Sequence, residues 1–243
     1  MANDAHISGS GRLSGGDYNE VHISGSGRFD GPIHCRNFHV SGSCSGSGVL
    51  TVLEEMHCSG SFRTEGHLDC REIHISGSAR IEGNVAGHEE IHVSGSLRCH
   101  SLYGNDVSIS GGLDTQGDVE ADSFTMSGAG EIRGLLNAEE ISITVSGIPR
   151  VIKIEQIGGS QITIKTSTTM GLLSKLFSGK TAGPGAAIVG TIEGDEIDLT
   201  STTADVVRGA DITLRDGCRI KRVEYSGDLM LEGDAQVEEQ IRV

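Results

Sequence analysis

The sequence predicts an all-β protein folded as a right-handed parallel β-helix, a three-sided solenoid with about twelve coils of roughly 17 residues. Three observations support this prediction. A Ser-Gly motif returns at a nearly constant spacing, apolar residues alternate with polar ones beside each copy, and glycines separate the short apolar runs. A chain with these features winds through similar turns and stacks each turn on the one before it.

Nine copies of an apolar–polar–apolar–Ser-Gly motif carry the repeat. Successive copies are 16 to 19 residues apart, which is the self-similarity expected of a solenoid. One period that runs through most of the chain favours a single elongated domain over several globular ones. The serines of the nine copies are Ser8, Ser24, Ser41, Ser59, Ser76, Ser94, Ser110, Ser127 and Ser146.

The stretch "IHISGSARIEG", which starts at Ile73, indicates how one turn is built. Ile73 and Ile75 flank His74, which is typical of a strand with one buried face. Gly77 and Gly83 then interrupt the alternation, and we expect corner glycines to supply positive φ at little steric cost. A third short run closes the turn. The six-residue step of left-handed β-helices fits this stretch, but spacings of 16 to 19 elsewhere do not follow it, so the right-handed form is favoured.

The alternation continues after the Ser-Gly motifs fade. "VIKIEQI" and "QITIKTS" predict strands between residues 151 and 165, and Ile197, Ile212 and Leu229 are spaced by 15 and 17 residues, about one coil. The predicted organisation is therefore N-terminal coils over 1–165, a projecting loop over 166–187, and C-terminal coils over 188–243 that continue the same solenoid.

The segment 166–187 breaks the pattern with glycines, a proline and small polar residues, which indicates a loop. Within it, "GLLSKLFSGK" places four apolar residues on one side of a short helix, with lysine beside them. Three hypotheses remain open: the segment attaches to a membrane surface, packs back onto the solenoid, or binds a partner protein. The residues concerned are Leu172, Leu173, Lys175, Leu176 and Phe177.

Composition and charge argue against several classes of protein. With 34 acidic and 19 basic residues the net charge is −15, and no cluster of Lys or Arg stands out, so nucleic acid is not an expected partner. "MANDAHISGSG" lacks the basic and apolar regions of a signal peptide, and no stretch reaches the ~18 apolar residues of a spanning helix. We expect a cytoplasmic protein that is membrane-associated only if the loop provides the contact.

The six cysteines agree with a reducing compartment. No two of them form a C-x-x-C pair. Cys58 and Cys99 fall where other coils have Ile75 and Ile81, so we expect core thiols that serve as small apolar residues, in preference to disulfides or metal ligands.

Six histidines occupy one register, two residues before the motif serine, where alternation directs them outward. They should form a ladder, and either a metal stripe or a pH sensor is one interpretation. The other is a plain polar ladder, which Ser108, Thr125 and Ser142 continue. Because metal ligands must converge on a point, no metal site is predicted, but protonation should weaken the N-terminal coils below about pH 6. The histidines are His6, His22, His39, His57, His74 and His92.

No catalytic residue, cofactor or small-molecule substrate is predicted. The Ser-Gly stretches are not followed by the Lys that a phosphate-binding loop requires, and "SGK" at 178–180 lacks the upstream spacing. The same polar groups recur in every coil, so no Ser/His/Asp set can be singled out. We do not expect an enzyme.

The ends of the predicted solenoid favour self-assembly. No amphipathic helix or proline-rich cover is predicted at either end, and an uncovered coil presents apolar side chains and unpaired strand groups. We therefore expect coils of separate molecules to stack. The residues predicted to take part are Ile7, Leu229, Leu231, Val237 and Ile241.

An acidic, uncapped β-helix with short coils resembles the bactofilins, polymer-forming cytoskeletal proteins of bacteria. The stretch "GTIEGDEIDLTSTTADVVRGADITLRDGCRIKRVEYSGDLMLEGDA" is similar to the longer type found in Gram-positive bacteria. The resemblance implies a β-helix that polymerises through its ends without nucleotide, alone or with a paralogous bactofilin, and supports cell shape, motility or the localisation of other proteins. Bactofilins usually carry an apolar N-terminal membrane-targeting segment, whereas "MANDAHI" is polar, so membrane contact would depend on the loop.

Two alternatives belong to other classes. A monomeric β-helical adaptor would bind one protein partner through a face of the solenoid or through its loop. A left-handed β-helix acyltransferase would need one catalytic histidine at a trimer interface, and the ladder offers no unique candidate.

Overall fold

The computed structural model describes residues 3–145, 151–166 and 186–243. These residues are all-β, with no helix among them, and they wind through about 13 turns of a right-handed parallel β-helix. The predicted fold class is confirmed, and the predicted number of about twelve coils is one short. The chain divides into two compact units, an N-terminal unit (Met1–Asp122) and a C-terminal unit (Ser123–Val243).

The N-terminal unit is built from short strands that pair with the equivalent strands one turn later, always in parallel. A final strand of this series, β13 (Val119–Met126), runs on into the next unit. The others are β1 (Asn3–Ile7), β2 (Ser10–Ile23), β3 (Ser26–Val40), β4 (Ser43–Gly46), β5 (Leu50–Cys58), β6 (Ser61–Thr64), β7 (Leu68–Ile75), β8 (Ser78–Ile81), β9 (Val85–Val93), β10 (Ser96–Cys99), β11 (Leu102–Ile109) and β12 (Gly112–Thr115).

In several turns the longer of two strands bends and contributes more than one side, whereas other turns consist of one long strand, such as β3. In the turn made of β6 and β7, the register shifts between Cys70 and Glu72, so β7 contributes two sides and β6 the third. Such a bulge inserts an unpaired residue and redirects the strand. On all three sides alternate residues are buried, as the sequence pattern predicted.

The core consists of columns of side chains that lie above one another in successive turns. The column of Ile23 continues through Val40, Cys58, Ile75 and Val93, all at most 2% exposed. Cys58 therefore does replace Ile75, as predicted, and all six cysteines are free and buried. Phe29, Phe38 and Phe62 form an aromatic cluster with ring centroids 5.9 to 6.4 Å apart.

The Ser-Gly glycines serve a purpose other than the one predicted. Their φ values from Gly9 to Gly111 are not positive, so the expectation that these corners need positive φ is wrong. Instead, from Gly25 to Gly111, the carbonyl of the preceding turn approaches each corner closely, and a Cβ on Gly60 would overlap the carbonyl oxygen of Gly42. A side chain is excluded by neighbouring backbone, which is another of the roles that glycine fills in strands.

The C-terminal unit begins with four long strands of 13 to 17 residues and ends with three short ones, all paired in parallel. Ile197 pairs with Ile212 and Ile212 with Leu229, so the predicted spacing of one coil is confirmed. Strand pairing reaches Thr166 and resumes at Ala186, slightly inside the predicted loop. The strands are β14 (Ala129–Val145), β15 (Val151–Thr166), β16 (Ala186–Leu199), β17 (Thr202–Leu214), β18 (Arg219–Tyr225), β19 (Leu229–Leu231) and β20 (Gln236–Arg242).

Candidate functional site

The histidine ladder lies on the outer face of the N-terminal unit. Strand pairing sets His6 opposite His22, His22 opposite His39, and so on to His92, which lies opposite Ser108. Ring centroids are 5.2 Å apart for His6 and His22, 4.7 Å for His22 and His39, and 6.3 Å for His74 and His92. These distances are near the spacing of paired strands, so the histidines stack as a ladder along the strands.

A second, acidic column runs beside the histidines and was not recognised in the sequence analysis. Its members precede the five histidines from His22 to His92 by two residues, so both side chains point to the same face of the strand. The sequence shows this pattern as a Glu or Asn two residues before histidine in "EVHI", "NFHV", "EMHC", "EIHI" and "EIHV". The column pairs in register and consists of Glu20, Asn37, Glu55, Glu72 and Glu90.

The two columns approach each other within ion-pair distance in several turns. The distance is 3.6 Å from His22 Nε2 to Glu20 Oε2, and 3.8 Å from His57 Nδ1 to Glu55 Oε1. Burial of the ring lowers the pKa of His39, and the neighbouring His22 lowers it further. His39 is therefore biased toward the neutral imidazole, the form that accepts a hydrogen bond or binds a metal ion.

At one point the two columns converge. Within the described part of the chain, Glu20, His22 and His39 are the one set of three whose metal-ligating atoms all lie within 4.8 Å of one another. Asn37 fills the acidic column beside His39, and its Nδ2 donates a 2.8 Å hydrogen bond to Glu20 Oε1. The ladder is therefore not uniform: its side chains converge at this point, which the repeating sequence did not reveal.

The residues predicted to lie at the ends of the solenoid occupy the first and last turns. Ile7 pairs with the buried Ile23 and is itself half-buried. Leu229 and Leu231 pair with the buried Ile212 and Leu214, yet Leu231 is 43% exposed. These side chains continue core columns, but each is more exposed to solvent than the residue with which it pairs in the adjacent turn.

Val237 and Ile241 both lie on strand β20. Val237 pairs with the buried Ile220 and continues a core column, as expected. Ile241 lies opposite Glu224, while Gln240 lies opposite the buried Val223. The register does not place Ile241 above a buried residue, yet its side chain is half-buried, as that of Val237 is, whereas Gln240 is exposed.

An open groove of about 650 Å³ lies on the C-terminal unit. Its wall includes the guanidinium of Arg208, whose Nε is 2.7 Å from Glu224 Oε2 and whose Nη1 is 3.8 Å from Glu193 Oε2. Other lining residues are Asn137, Gln156, Thr191 and Asp195. The sequence does not distinguish these residues, because each is an ordinary polar position of the repeat.

The predicted loop residues Leu172, Leu173, Lys175, Leu176 and Phe177 lie outside the described residues. A search of the described residues for a helix long and apolar enough to cross a membrane finds none.

Two curated proteins of Bacillus subtilis (strain 168) are similar to part of this chain. The uncharacterized protein YhbF is 33% identical over 110 residues, which is 45% of this chain and 42% of YhbF. The uncharacterized protein YhbE is 34% identical over 109 residues, 44% of this chain and 43% of YhbE. The chain thus matches less than half the length of each of these relatives.

No protein-family model matches the chain. No solved structure matches it either. The β-solenoid fold suggests a structural or scaffold role and is compatible with the predicted resemblance to bactofilins.

Proposed function

We propose that this protein is a non-catalytic scaffold subunit that self-assembles end to end into nucleotide-independent filaments, as the resemblance to bactofilins implies. The observation that carries the proposal is the self-complementary register of the turns. Ser26 pairs with Ser43, Ser43 with Ser61 and Ser61 with Ser78, so each turn is a template for one much like itself. A turn supplied by a second copy would meet the same hydrogen-bonding groups and the same apolar columns.

The exposure of the last turn adds a driving force. Leu214 and Ile220 are at most 2% exposed, whereas Leu231 above Leu214 is 43% exposed and Val237 above Ile220 is half-buried. Covering these side chains removes apolar surface from water, at about 25 cal/mol per Å². A second copy is the occupant that fits, because throughout the unit such columns are covered by turns of this same chain.

Substitution at the exposed columns tests the proposal. Leu231→Arg and Val237→Arg place a charge where an apolar side chain would be buried on stacking, and we expect both variants to remain monomeric. Leu53→Arg is the matched control, because Leu53 is 68% exposed on a lateral face. Negative-stain electron microscopy and sedimentation velocity are the measurements, at low and high ionic strength.

The outcomes are distinct. Filaments formed by the unmodified protein and by Leu53→Arg, but not by the other two variants, would support end-to-end stacking. Absence of filaments from the unmodified protein at every ionic strength would refute it, as would filaments that form equally well with Leu231→Arg and Val237→Arg.

The second candidate function is a monomeric adaptor that binds one partner through a face of the solenoid or through its loop. The groove around Arg208 is the observation that favours it, since an open surface with fixed charges suits a polar partner. A sedimentation coefficient that is independent of concentration would support the adaptor over the filament.

Membrane contact through the loop is a separate part of the proposal. Cosedimentation with anionic liposomes would compare the unmodified protein with a Leu173→Glu, Phe177→Glu double variant. Reduced binding by the double variant is expected, and equal binding would refute the anchor. A cytoplasmic location and a paralogous copolymer partner are likewise part of this proposal.

A further inference from the structure

The convergence of Glu20, His22 and His39 sets one point of the ladder apart from the rest. Glu20 and His22 lie two residues apart on the outer face of β2, and His39 lies on β3 directly opposite His22. The His22 and His39 rings are stacked, with centroids 4.7 Å apart and an interplanar angle of 13°. Three ligand-bearing side chains from two adjacent turns therefore share one small volume.

Binding one ion requires the three ligating atoms to move closer together than they lie in the structure. The ligating atoms lie within 4.8 Å of one another. Zinc–nitrogen and zinc–oxygen bonds are about 2.0 to 2.2 Å long, so two ligands of a tetrahedral ion are about 3.4 Å apart. Rotations of the three side chains would have to bring their ligating atoms to that separation, while the paired backbone stays in place.

Asn37 holds the carboxylate in place. Its Nδ2 donates to Glu20 Oε1 at 2.8 Å, while its Oδ1 accepts from the backbone N–H of Glu55 at 3.2 Å. Glu20 Oε2 is the oxygen that lies near His22. Outer hydrogen bonds of this kind orient metal ligands and are part of a built site.

The other turns do not offer the same arrangement. His39 and His57 are 6.2 Å apart and tilted by 39°, and His74 and His92 are 6.3 Å apart and tilted by 44°. His92 Nε2 lies 2.9 Å from Ser94 Oγ, within hydrogen-bonding distance. Beside His57, His74 and His92 the acidic column carries Glu, whereas beside His39 it carries Asn37.

We propose that Glu20, His22 and His39 bind one divalent transition metal ion of the zinc class. Two imidazole nitrogens and one carboxylate oxygen are ligands that zinc prefers, and a water molecule would complete a tetrahedral set. Calcium and magnesium are disfavoured, because they require mostly oxygen ligands. The ladder as a whole was not predicted to bind metal because its ligands do not converge, and here three of them do.

Bound metal would clamp β2 to β3. Glu20 and His22 belong to one turn and His39 to the next, so the ion links turns that are otherwise joined by backbone hydrogen bonds and core packing. Because it binds the folded form, the ion raises the thermal midpoint of the N-terminal unit. This effect is independent of whether the protein forms filaments.

The test uses the full chain and zinc sulfate alone, with affinity measured by competition against a zinc-chelating dye. We expect Glu20→Gln and His39→Gln each to weaken zinc binding by at least about ten-fold. His74→Gln is the matched control from the same column, and its affinity should stay within about two-fold of the unmodified protein. Cobalt(II) in place of zinc should give the intense visible absorption of a tetrahedral site, which His39→Gln should remove.

Thermal unfolding gives an independent readout. Zinc should raise the midpoint of the unmodified protein and of His74→Gln, but not that of His39→Gln. Far-UV circular dichroism in the absence of zinc identifies any variant that fails to fold. If one of Glu20→Gln and His39→Gln fails to fold, the other variant still tests the site. Lack of zinc binding by the unmodified protein would overturn the proposal, as would equal weakening by His39→Gln and His74→Gln.

Discussion

The ring of Phe29 occupies the space that a side chain at position 46 would need. Gly46 pairs with Phe29 across adjacent turns, and a Cβ on Gly46 would overlap the far edge of that ring. Phe29 is fully buried and stacks on Phe62 at 6.4 Å, with an interplanar angle of 13°. Gly46 is thus a core position, where the missing side chain is replaced by a neighbour's ring.

We expect Gly46→Ala to destabilise the protein by about 2 to 3 kcal/mol, because overpacking forces a buried ring to shift. Gly9→Ala is the control, since nothing lies within 4 Å of a Cβ at Gly9, and its effect should stay within about 0.5 kcal/mol. Urea denaturation measures both. Adding Phe29→Leu to Gly46→Ala should recover part of the loss, and strictly additive effects would contradict the proposed contact.

Thr64 is a buried polar residue in a core column. Its Oγ1 donates to the carbonyl of Gly48 at 3.0 Å and accepts from the N–H of Gly66 at 3.2 Å. Thr64→Val keeps the shape and removes both bonds, so we expect a loss of about 2 kcal/mol in the free energy of unfolding. The exposed Thr203 gives the matched control, Thr203→Val, and equal effects of the two changes would argue against the buried network.

Acidic pH should destabilise the N-terminal unit through His39. Its lowered pKa means that the unfolded chain takes up a proton before the folded one does, so stability is complete above about pH 6.5 and falls as the pH drops below it. The groups that act on His39 are His22, His57, Glu20 and Glu55. With a chelator present, the thermal midpoint should be lower at about pH 5 than at about pH 7.5.

Two variants check the origin of that acid sensitivity. His39→Gln should reduce it, whereas His88→Gln, outside the ladder and 62% exposed at its side chain, should not. A midpoint that does not change between the two pH values would contradict the role of the ladder.

The buried thiols should be unreactive, and their ionisation should destabilise the folded protein at alkaline pH. Burial raises the pKa of Cys35, Cys44, Cys70 and Cys99 to about 12. Because these pKa values lie above that of an unfolded cysteine, the thiols' contribution to stability is complete below about pH 8.5 and is lost as the pH rises toward 12.

Thiol labelling measures this protection. A chromogenic disulfide reagent at about pH 8 should leave the folded protein unlabelled and should label its six cysteines in urea. Ser45→Cys, at an exposed position next to Cys44, should add one thiol that reacts at once. Rapid labelling of the unmodified folded protein would show that the core opens readily.

Several features of the fold could be predicted because they repeat in the sequence. Alternation around Ile73 and Ile75 indicates one buried face, and a constant spacing indicates which residues stack. The histidine ladder and the replacement of Ile75 by Cys58 follow from the same two facts. The acidic column was equally visible in the letters and was overlooked.

The candidate metal site was less accessible to sequence reasoning. His22 and His39 are two members of a six-residue ladder, and no letter distinguishes them from His57 or His74. Only Asn37, at a position where other turns have Glu, distinguishes this turn in the sequence. Its role in the site depends on the hydrogen bond that it donates to Glu20, which the sequence does not show.

The sequence by itself determined the solenoid, its period and the faces of its strands, because alternation and spacing are properties of the chain. The tertiary structure alone decided where Phe29 lies relative to Gly46, why the Ser-Gly corners exclude a Cβ, and that Gln240 and not Ile241 lies opposite Val223. Turns of 16 to 19 residues must absorb extra residues at bulges, and the site of each bulge is set by packing between turns. A contact between two turns therefore depends on the stacking of both, which neither stretch of sequence contains alone.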